Sequence, residues 1–449
     1  MASLKTQEMV ASSEDDASNL MEILNRKVKV KIEIRSMAFD FEEWTIALSE
    51  NRTLEDVTIS VCLPSLGVSP VVHDFFRAIG RLPSLQHLFF KPGNVFWRLP
   101  QKLLLATFQQ RPSRMEEFHM QDVEIGLFDS AAAAAEDFQL LADYVSAMPK
   151  LKKFALAHCR LNRRYDYRSA IVEINAPVLN PLIGVLLRKP SLETMIFTAS
   201  RFREMSICPL SDETETLQET LAINQNQPAS LKELRLLKFE WPSSVQNAIF
   251  GAIQHHFPHL ETLLLSACVW NSRQDILMLT QLLHHHRGLR EVHLLGSRDL
   301  AFKRWVQLNR EFHVDLANAL QNSGIQRFFL EPHERSTIGR IESHEIPLES
   351  QKKIVESMET NYSLVDFRLS ELLAPEWQAC MEFYFRLNTA GRREVMMAEQ
   401  QPGNNYTTSR VIHQGIDEKK VWVKVISTVN DNAGCIYYFL RRNPSLLWV

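Results

Sequence analysis

The residues of this 449-residue chain with the most chemistry to offer are its fifteen histidines and six cysteines. His255 and His256 stand five and four residues before Leu260, and His284, His285 and His286 stand five, four and three before Leu289. If those leucines hold equivalent places in neighbouring repeats, the two clusters come together, as a zinc site shared between repeats requires. No acidic residue or cysteine accompanies them, however, and histidines in the last turn of a helix complement its dipole. We therefore expect no metal and no other cofactor. Cys62, Cys159 and Cys268 form a second regular set, each eight residues after a leucine. Without C-x-x-C pairs they suit neither a disulfide framework nor a metal site, and they read as small buried hydrophobes. The basic pairs Arg392–Arg393 and Arg441–Arg442 have the charge to touch phosphate, but exposed surface charges are the plainer reading. The chain contains no G-x-G-x-x-G, G-x-x-x-x-G-K-[ST], G-x-S-x-G or H-E-x-x-H motif. The expectation is a protein that is not an enzyme.

These residues must be positioned by a pattern that returns ten times, L-x-x-L-x-L. Its apolar anchors are Leu54/Val57/Ile59, Leu85/Leu88/Phe90, Met115/Phe118/Met120, Leu151/Phe154/Leu156 and Leu192/Met195/Phe197 in the first half. In the second half they are Leu231/Leu234/Leu236, Leu260/Leu263/Leu265, Leu289/Val292/Leu294, Ile325/Phe328/Leu330 and Leu364/Phe367/Leu369. Successive copies start 29 to 41 residues apart, which leaves room for a helix and for insertions between strands. Position nine is cysteine in three copies, and position eleven is apolar in six, through Val95, Ile125, Leu161, Phe202, Trp241 and Trp270.

Between the strand segments the apolar period lengthens to that of a helix, as in 245–253, 275–284, 306–320 and 139–148. Pro83, Pro149, Pro190 and Pro258 each stand two residues before a strand leucine, where proline ends a helix and extends the preceding residue. Asn51 and Asn361, three residues before their leucines, are placed to cap helices in the left-handed conformation.

This series resembles the leucine-rich repeat family, and its long helical repeats look most like the ribonuclease-inhibitor-like subfamily. The resemblance spans about residues 28 to 372. It implies an α/β leucine-rich-repeat solenoid: a curved parallel sheet lined outside by helices. Around it the sequence predicts a disordered polar tail over 1–22, an N-terminal cap strand within 23–372 where Val28 to Ile34 alternate, and a helical C-terminal cap over 373–449. The cap begins with the apolar helix 375–387, continues through amphipathic segments at 419–429 and 435–441, and closes on Asn443-Pro-Ser-Leu446 as if an eleventh repeat began there.

In such a register the anchors face the core, and position five lies mid-way along the concave, solvent-facing side of the sheet. Across the copies it reads Thr58, Phe89, His119, Ala155, Ile196, Arg235, Leu264, His293, Phe329 and Arg368. Exposed Phe89, Ile196, Leu264 and Phe329 beside histidines and arginines suit protein partners, whose hot spots favour aromatics and arginine. Packing of these residues on each other, or on a loop, is the competing account. The flanking positions, including Glu116, Glu117, Lys152, Lys153, Lys232 and Glu233, mix both signs and read as a solvated face.

A net charge of −3 carries no basic footprint, so nucleic acid is not expected as a partner. No apolar run approaches the length of a membrane span and the first residues lack a signal-peptide core, so the chain is expected in the cytoplasm or nucleus. The resulting expectation is a non-catalytic scaffold with protein partners of unstated identity and oligomeric state. Two alternatives stand beside it. One is an adaptor or regulator, such as a ubiquitin-ligase substrate receptor or a small-GTPase regulator; cysteine at position nine resembles the repeats of F-box proteins, although no F-box precedes the first copy. The other is an enzyme with its site in 373–449, a segment without a recognisable nucleophile, base and orienter.

Overall fold

The computed structural model describes residues 9–11, 24, 29–34, 39–61, 69–92, 97–128, 131–163, 180–199, 205–206, 230–237, 239–240, 243–268, 272–296, 312–321, 323–331, 348–369, 374–392 and 433–442. They form two compact units, Met1–Cys268 and Val269–Val449.

In the first unit, strands follow the motif copies one for one. After β1 (Met9–Ala11) and β2 (Lys29–Ile34) come β3 (Asp56–Val61), β4 (His87–Pro92), β6 (Glu117–Gln121), β8 (Lys153–Arg163), β9 (Thr194–Ala199), β11 (Glu233–Leu237) and β13 (Thr262–Cys268). Each pairs in parallel with the next in that order. The register matches equivalent anchors: Val57, Leu88, Phe118, Phe154, Met195, Leu234 and Leu263 are Cα partners from strand to strand. The unit is therefore α/β, with an open, all-parallel sheet. Two features were not legible in the motif. A side ribbon joins β5 (Trp97–Leu99) to β7 (Val123–Phe128) and β7 to β8, and β10 (Met205–Ser206) pairs with β12 (Phe239–Glu240).

Within the 1–22 tail, the described residues 9–11 form the strand β1. Met9-Val10-Ala11 is an apolar triplet in a polar stretch, and the edge of β2 supplies the unpaired backbone groups that such a triplet can satisfy. The alternating burial of β2, with Val30, Ile32 and Ile34 fully buried, agrees with the strand expected there.

Helices return the chain between strands: α1 (Phe41–Glu50), α2 (Pro70–Arg81), α3 (Gln101–Gln109), α4 (Ala131–Ser146), α5 (Asn180–Arg188) and α6 (Ser243–His256). Their apolar sides and the strand anchors share one core. Phenylalanines form its spine, with Phe76, Phe90, Phe118, Phe154 and Phe197 following one another at centroid distances of 5.2 to 6.0 Å and Phe108 joining Phe118 at 4.7 Å. Gly80 is required by packing: a Cβ there would lie 2.0 Å from the Thr107 carbonyl oxygen, so α2 touches α3 backbone to side chain position.

The second unit repeats the plan with β14 (Glu291–Gly296), β15 (Arg327–Glu331) and β16 (Asp366–Leu369), again parallel and in register. Its helices are α7 (Arg273–His285), α8 (Phe312–Gln321), α9 (Leu348–Met358), α10 (Pro375–Thr389) and α11 (Ala433–Arg442). Ser272 and Asp275 form a reciprocal capping box at the start of α7. The segments 419–429 and 443–446 singled out in the sequence, together with Cys62, Val95, Phe202, Trp241, Trp270 and Arg393, lie outside the described residues.

The turns into the strands follow two solutions to one problem. Where proline stands two residues before the strand leucine, a backbone turn closes: Leu85, Leu192 and Leu260 donate their N–H groups to the carbonyls of Leu82, Lys189 and Phe257 at 3.0 to 3.3 Å. At the turns into Leu54 and Leu364, which lack that proline, a side chain supplies the acceptor. Asn51 Oδ1 accepts from Thr53 and Leu54, and Asn361 Oδ1 accepts from Ser363 and Leu364, at 2.8 to 2.9 Å. These asparagines are thus not left-handed caps as the sequence suggested. Asn51 is extended, at φ −72° and ψ 138°, and its side chain imitates a backbone carbonyl.

Candidate interaction surface on the sheet

Position five of each strand does form continuous rows. In the first unit Thr58, Phe89, His119, Ala155, Ile196, Arg235 and Leu264 are successive Cα partners across seven strands. In the second unit His293, Phe329 and Arg368 do the same across three. The fold thereby aligns all eight candidate residues of the sequence reading, five in one unit and three in the other.

Their exposure is lower than expected. Phe89, Ile196 and Phe329 are only half exposed, and Leu264 is buried at 8%. Strand spacing explains this: residues level with each other on adjacent strands are close enough to cover one another. The Phe89 and His119 rings are 5.8 Å apart, and His293 meets Phe329 edge-on at 5.2 Å. Among the described residues, the large hydrophobics that are truly exposed lie on helices, at Ile46, Leu140, Leu277, Leu348 and Tyr437.

His119 is the electrostatically distinctive member of the first row. Burial, reinforced by the Lys153 and Lys91 charges, holds its imidazole below the ordinary histidine range. Its Nε2 is buried without a hydrogen-bond partner among the described residues, and the Lys91 ammonium lies 5.9 Å from the centre of the Phe89 ring.

The rows beside position five carry charges that pair across strands. Lys152 donates to Glu116 at 2.6 Å and Lys232 to Glu193 at 2.7 Å. Glu116 is held below the usual carboxylate range by its hydrogen bond from Lys152, and the two lysines are raised by their glutamates. Next to them run Lys153 with Glu117 at 3.7 Å, Lys29 with Asp56 at 4.0 Å, and the contacts of His87 with Asp56 and Arg235 with Glu233. The mixed signs seen in the sequence are thus an alternation from one repeat to the next. Reading position two down the copies, as Glu116, Lys152, Glu193, Lys232 and Glu261, would have found it.

The histidine clusters fall in different units, His255 and His256 at the end of α6, His284 to His286 at the end of α7. Among the described residues, no three His, Cys, Asp or Glu side chains gather as a metal site needs. His286 is buried, and its Nδ1 accepts the Leu289 N–H at 3.1 Å, so it is the histidine counterpart of Asn51 and Asn361. A ring that accepts at Nδ1 does not carry its proton there, which replaces the dipole-complementing role expected for it. His285 donates to the Gln281 carbonyl at 2.9 Å. Cys159 and Cys268 are buried and free of disulfides; burial pushes the Cys159 thiol up to about 12 and raises the Cys268 thiol as well, which disfavours the thiolate at both.

Arg392 is neither an exposed charge nor a phosphate ligand. It is 3% exposed, donates to the Met358 carbonyl at 3.0 Å and to that of Glu359, and lies between the rings of Tyr362 and Tyr384 at 4.9 and 5.0 Å. Its planar fork satisfies carbonyls left unpaired at the end of α9. None of the helices among the described residues is long and apolar enough to cross a membrane.

No protein-family model matches this sequence, and none of the curated proteins is significantly similar to it. Among solved structures, a chain from the crystal structure of the Rad7 and Elc1 complex in yeast aligns with 80% of this chain and 81% of its own, at 13% identity and a TM-score of 0.36.

Proposed function

We propose that this protein is a non-catalytic scaffold, a leucine-rich-repeat solenoid of ribonuclease-inhibitor-like type closed by a helical C-terminal cap, that binds other proteins through the open face of its sheet. The observation that carries this reading is the alignment of position five into rows of aromatic, aliphatic, histidine and arginine side chains. Half-buried aromatics and arginines at the centre of a surface are the residue types that dominate protein interfaces. The flanking charges already have partners inside the chain, which favours recognition by shape and apolar contact over long-range attraction. The reading places the protein in the cytoplasm or nucleus, with no metal, cofactor or catalytic group. A role as adaptor or regulator, such as a ubiquitin-ligase substrate receptor or small-GTPase regulator, is one use of the same surface.

The test is affinity purification of the full chain from its native cells, wild type against Phe89→Glu and Ile196→Glu variants verified as folded by circular dichroism. Loss of a shared set of partners from both variants is expected. Identical partner sets in wild type and variants would exclude the sheet face of the first unit.

A further inference from the structure

Two arginines stand at position five, and their surroundings differ. Arg235 on β11 directs Nε and a terminal nitrogen at the carboxylate of Glu233, two residues back on the same strand. Its fork is occupied. Arg368 on β16 also has an acidic residue two positions back, but its contact with Asp366 is a single one, 3.4 Å from one terminal nitrogen. What holds it instead is Phe329 on the adjacent strand, whose ring centre lies 5.2 Å from the guanidinium carbon. His293 supports that ring from the other side, edge-on at 5.2 Å. The Arg368 side chain remains 62% exposed.

A guanidinium has five N–H donors, all in its plane, and no acceptor. Contact with a ring uses no acceptor, and with 62% of its side chain exposed Arg368 keeps N–H donors available to a partner. An arginine held in this way loses less conformational freedom when it binds than a free one does, and its fork fits a carboxylate with two parallel hydrogen bonds. The half-exposed Phe329 offers apolar surface beside it.

We propose that Arg368, seated on Phe329, is the anchor point for a carboxylate of a protein partner, with an apolar side chain of the same segment packing on Phe329. The proposal rests on the sheet face being a protein-binding surface and specifies the chemistry of the segment taken up by the second unit. A peptide carboxylate fits better than a phosphate. Asp366 contacts Arg368, and Glu291 pairs with Arg327 at 3.5 Å on the neighbouring strand, so two acids already balance the two arginines and the site suits one added negative charge better than the two of a phosphate dianion.

Immobilised, end-blocked octapeptides provide the probe: one set with Asp or Glu beside Leu or Phe, a second with Asn or Gln in place of the acid, and a third with Lys. Fluorescently labelled full-length protein is expected to be retained by the acidic set about tenfold more than by the amide set, the size of a lost charge-assisted hydrogen bond. Arg368→Ala is expected to remove that preference, and Arg368→Lys to restore only part of it, because an ammonium keeps the charge without the fork. Phe329→Leu is expected to weaken retention while preserving the preference. Thermal melts verify folding, which an exposed side chain such as Arg368 leaves intact. Equal retention of acidic and amide peptides, retention of acidic peptides undiminished by Arg368→Ala, or no retention of the acidic set overturns the proposal. Neutral and acidic peptides captured equally by wild type and lost on Ile196→Glu would keep the broader sheet-face reading while this one falls. Acidic capture that survives both substitutions would remove both.

Discussion

Lys189 and Lys152 are both lysines that reach the neighbouring repeat, yet they live in different physical worlds. Lys189, at the end of α5, is buried and donates to the Val145 and Ser146 carbonyls at 3.0 and 3.2 Å. Lys152 stands in solvent on the sheet and donates to Glu116 at 2.6 Å. The same division runs through the molecule. Where helices end, buried side chains repeatedly satisfy carbonyls of the preceding helix: Lys189 those of α4, Asn361 that of Leu320 at 2.6 Å, and Arg392 those of Met358 and Glu359. Asn388 extends the series by donating to Asn361 and Leu364 at 3.1 and 2.7 Å. On the sheet face, polar groups pair laterally under water.

A buried carbonyl that loses its donor bears the full cost of desolvation, whereas an exposed pair exchanges its partner for water and ions. The helix ends therefore fix the stacking of repeats, and the exposed ion pairs of the sheet face are free to vary in sequence without unfolding the protein. That is the distribution of constraint a binding surface needs.

The comparison can be broken most directly at Arg392. Arg392→Ala leaves two helix-end carbonyls unpaired and a gap between Tyr362 and Tyr384, and should cost about 3 kcal/mol in urea unfolding monitored by tryptophan fluorescence. A loss below about 0.5 kcal/mol would mean that water replaces the guanidinium without penalty. Asn361→Ala should come next, at about 2 kcal/mol by the same measurement, since it removes the turn acceptor and the donor to Leu320 together. Asn361→Asp separates the two roles, because it keeps the acceptor and lacks the donor.

Lys189 sharpens the comparison through pH. Burial lowers its pKa below the ordinary 10.5, so between the folded and unfolded values the unfolded chain holds a proton that the folded chain has released. Stability contributed at this site rises with pH across that window and is lowest below the folded value, where the buried group is charged. The stability difference between wild type and Lys189→Met should therefore move in favour of wild type as the pH is raised from 7 towards 10.5, measured by denaturant titration at several pH values. A difference independent of pH would show that the ammonium is as well solvated as in the unfolded chain. Smallest of all should be Lys152→Ala, with a melting temperature inside experimental scatter at both low and high salt. Its carboxylate partner should still register the change, with Glu116 returning upward towards the ordinary carboxylate value in a carbon-13 NMR titration. A melting shift comparable to that of Asn361→Ala would contradict the division drawn here.

Much of this was written in the residue types. The spacing Leu-x-x-Leu-x-Leu fixed which side chains face the core, because alternation along a strand leaves no choice once three anchors are placed. Hence the motif alone aligns Phe89, His119, Ile196, Arg235 and Leu264, and likewise His293, Phe329 and Arg368. Prolines two residues before the strand leucines marked the turns for an equally local reason.

What the chain by itself could not determine was how far each aligned group is covered and by whom. Leu264 and Phe329 occupy the same position in the motif, but only contacts between repeats make one buried and the other half exposed. His286, Asn51 and Asn361 share a turn-forming role that no propensity scale assigns to histidine, and Arg392, read from sequence as a surface charge, is buried among carbonyls supplied from 33 and 34 positions earlier. Identity and local period specify direction, since the geometry of a strand or turn is decided by its own few residues. Burial, protonation and partnership depend on atoms distant in sequence, and only the tertiary structure brings those together.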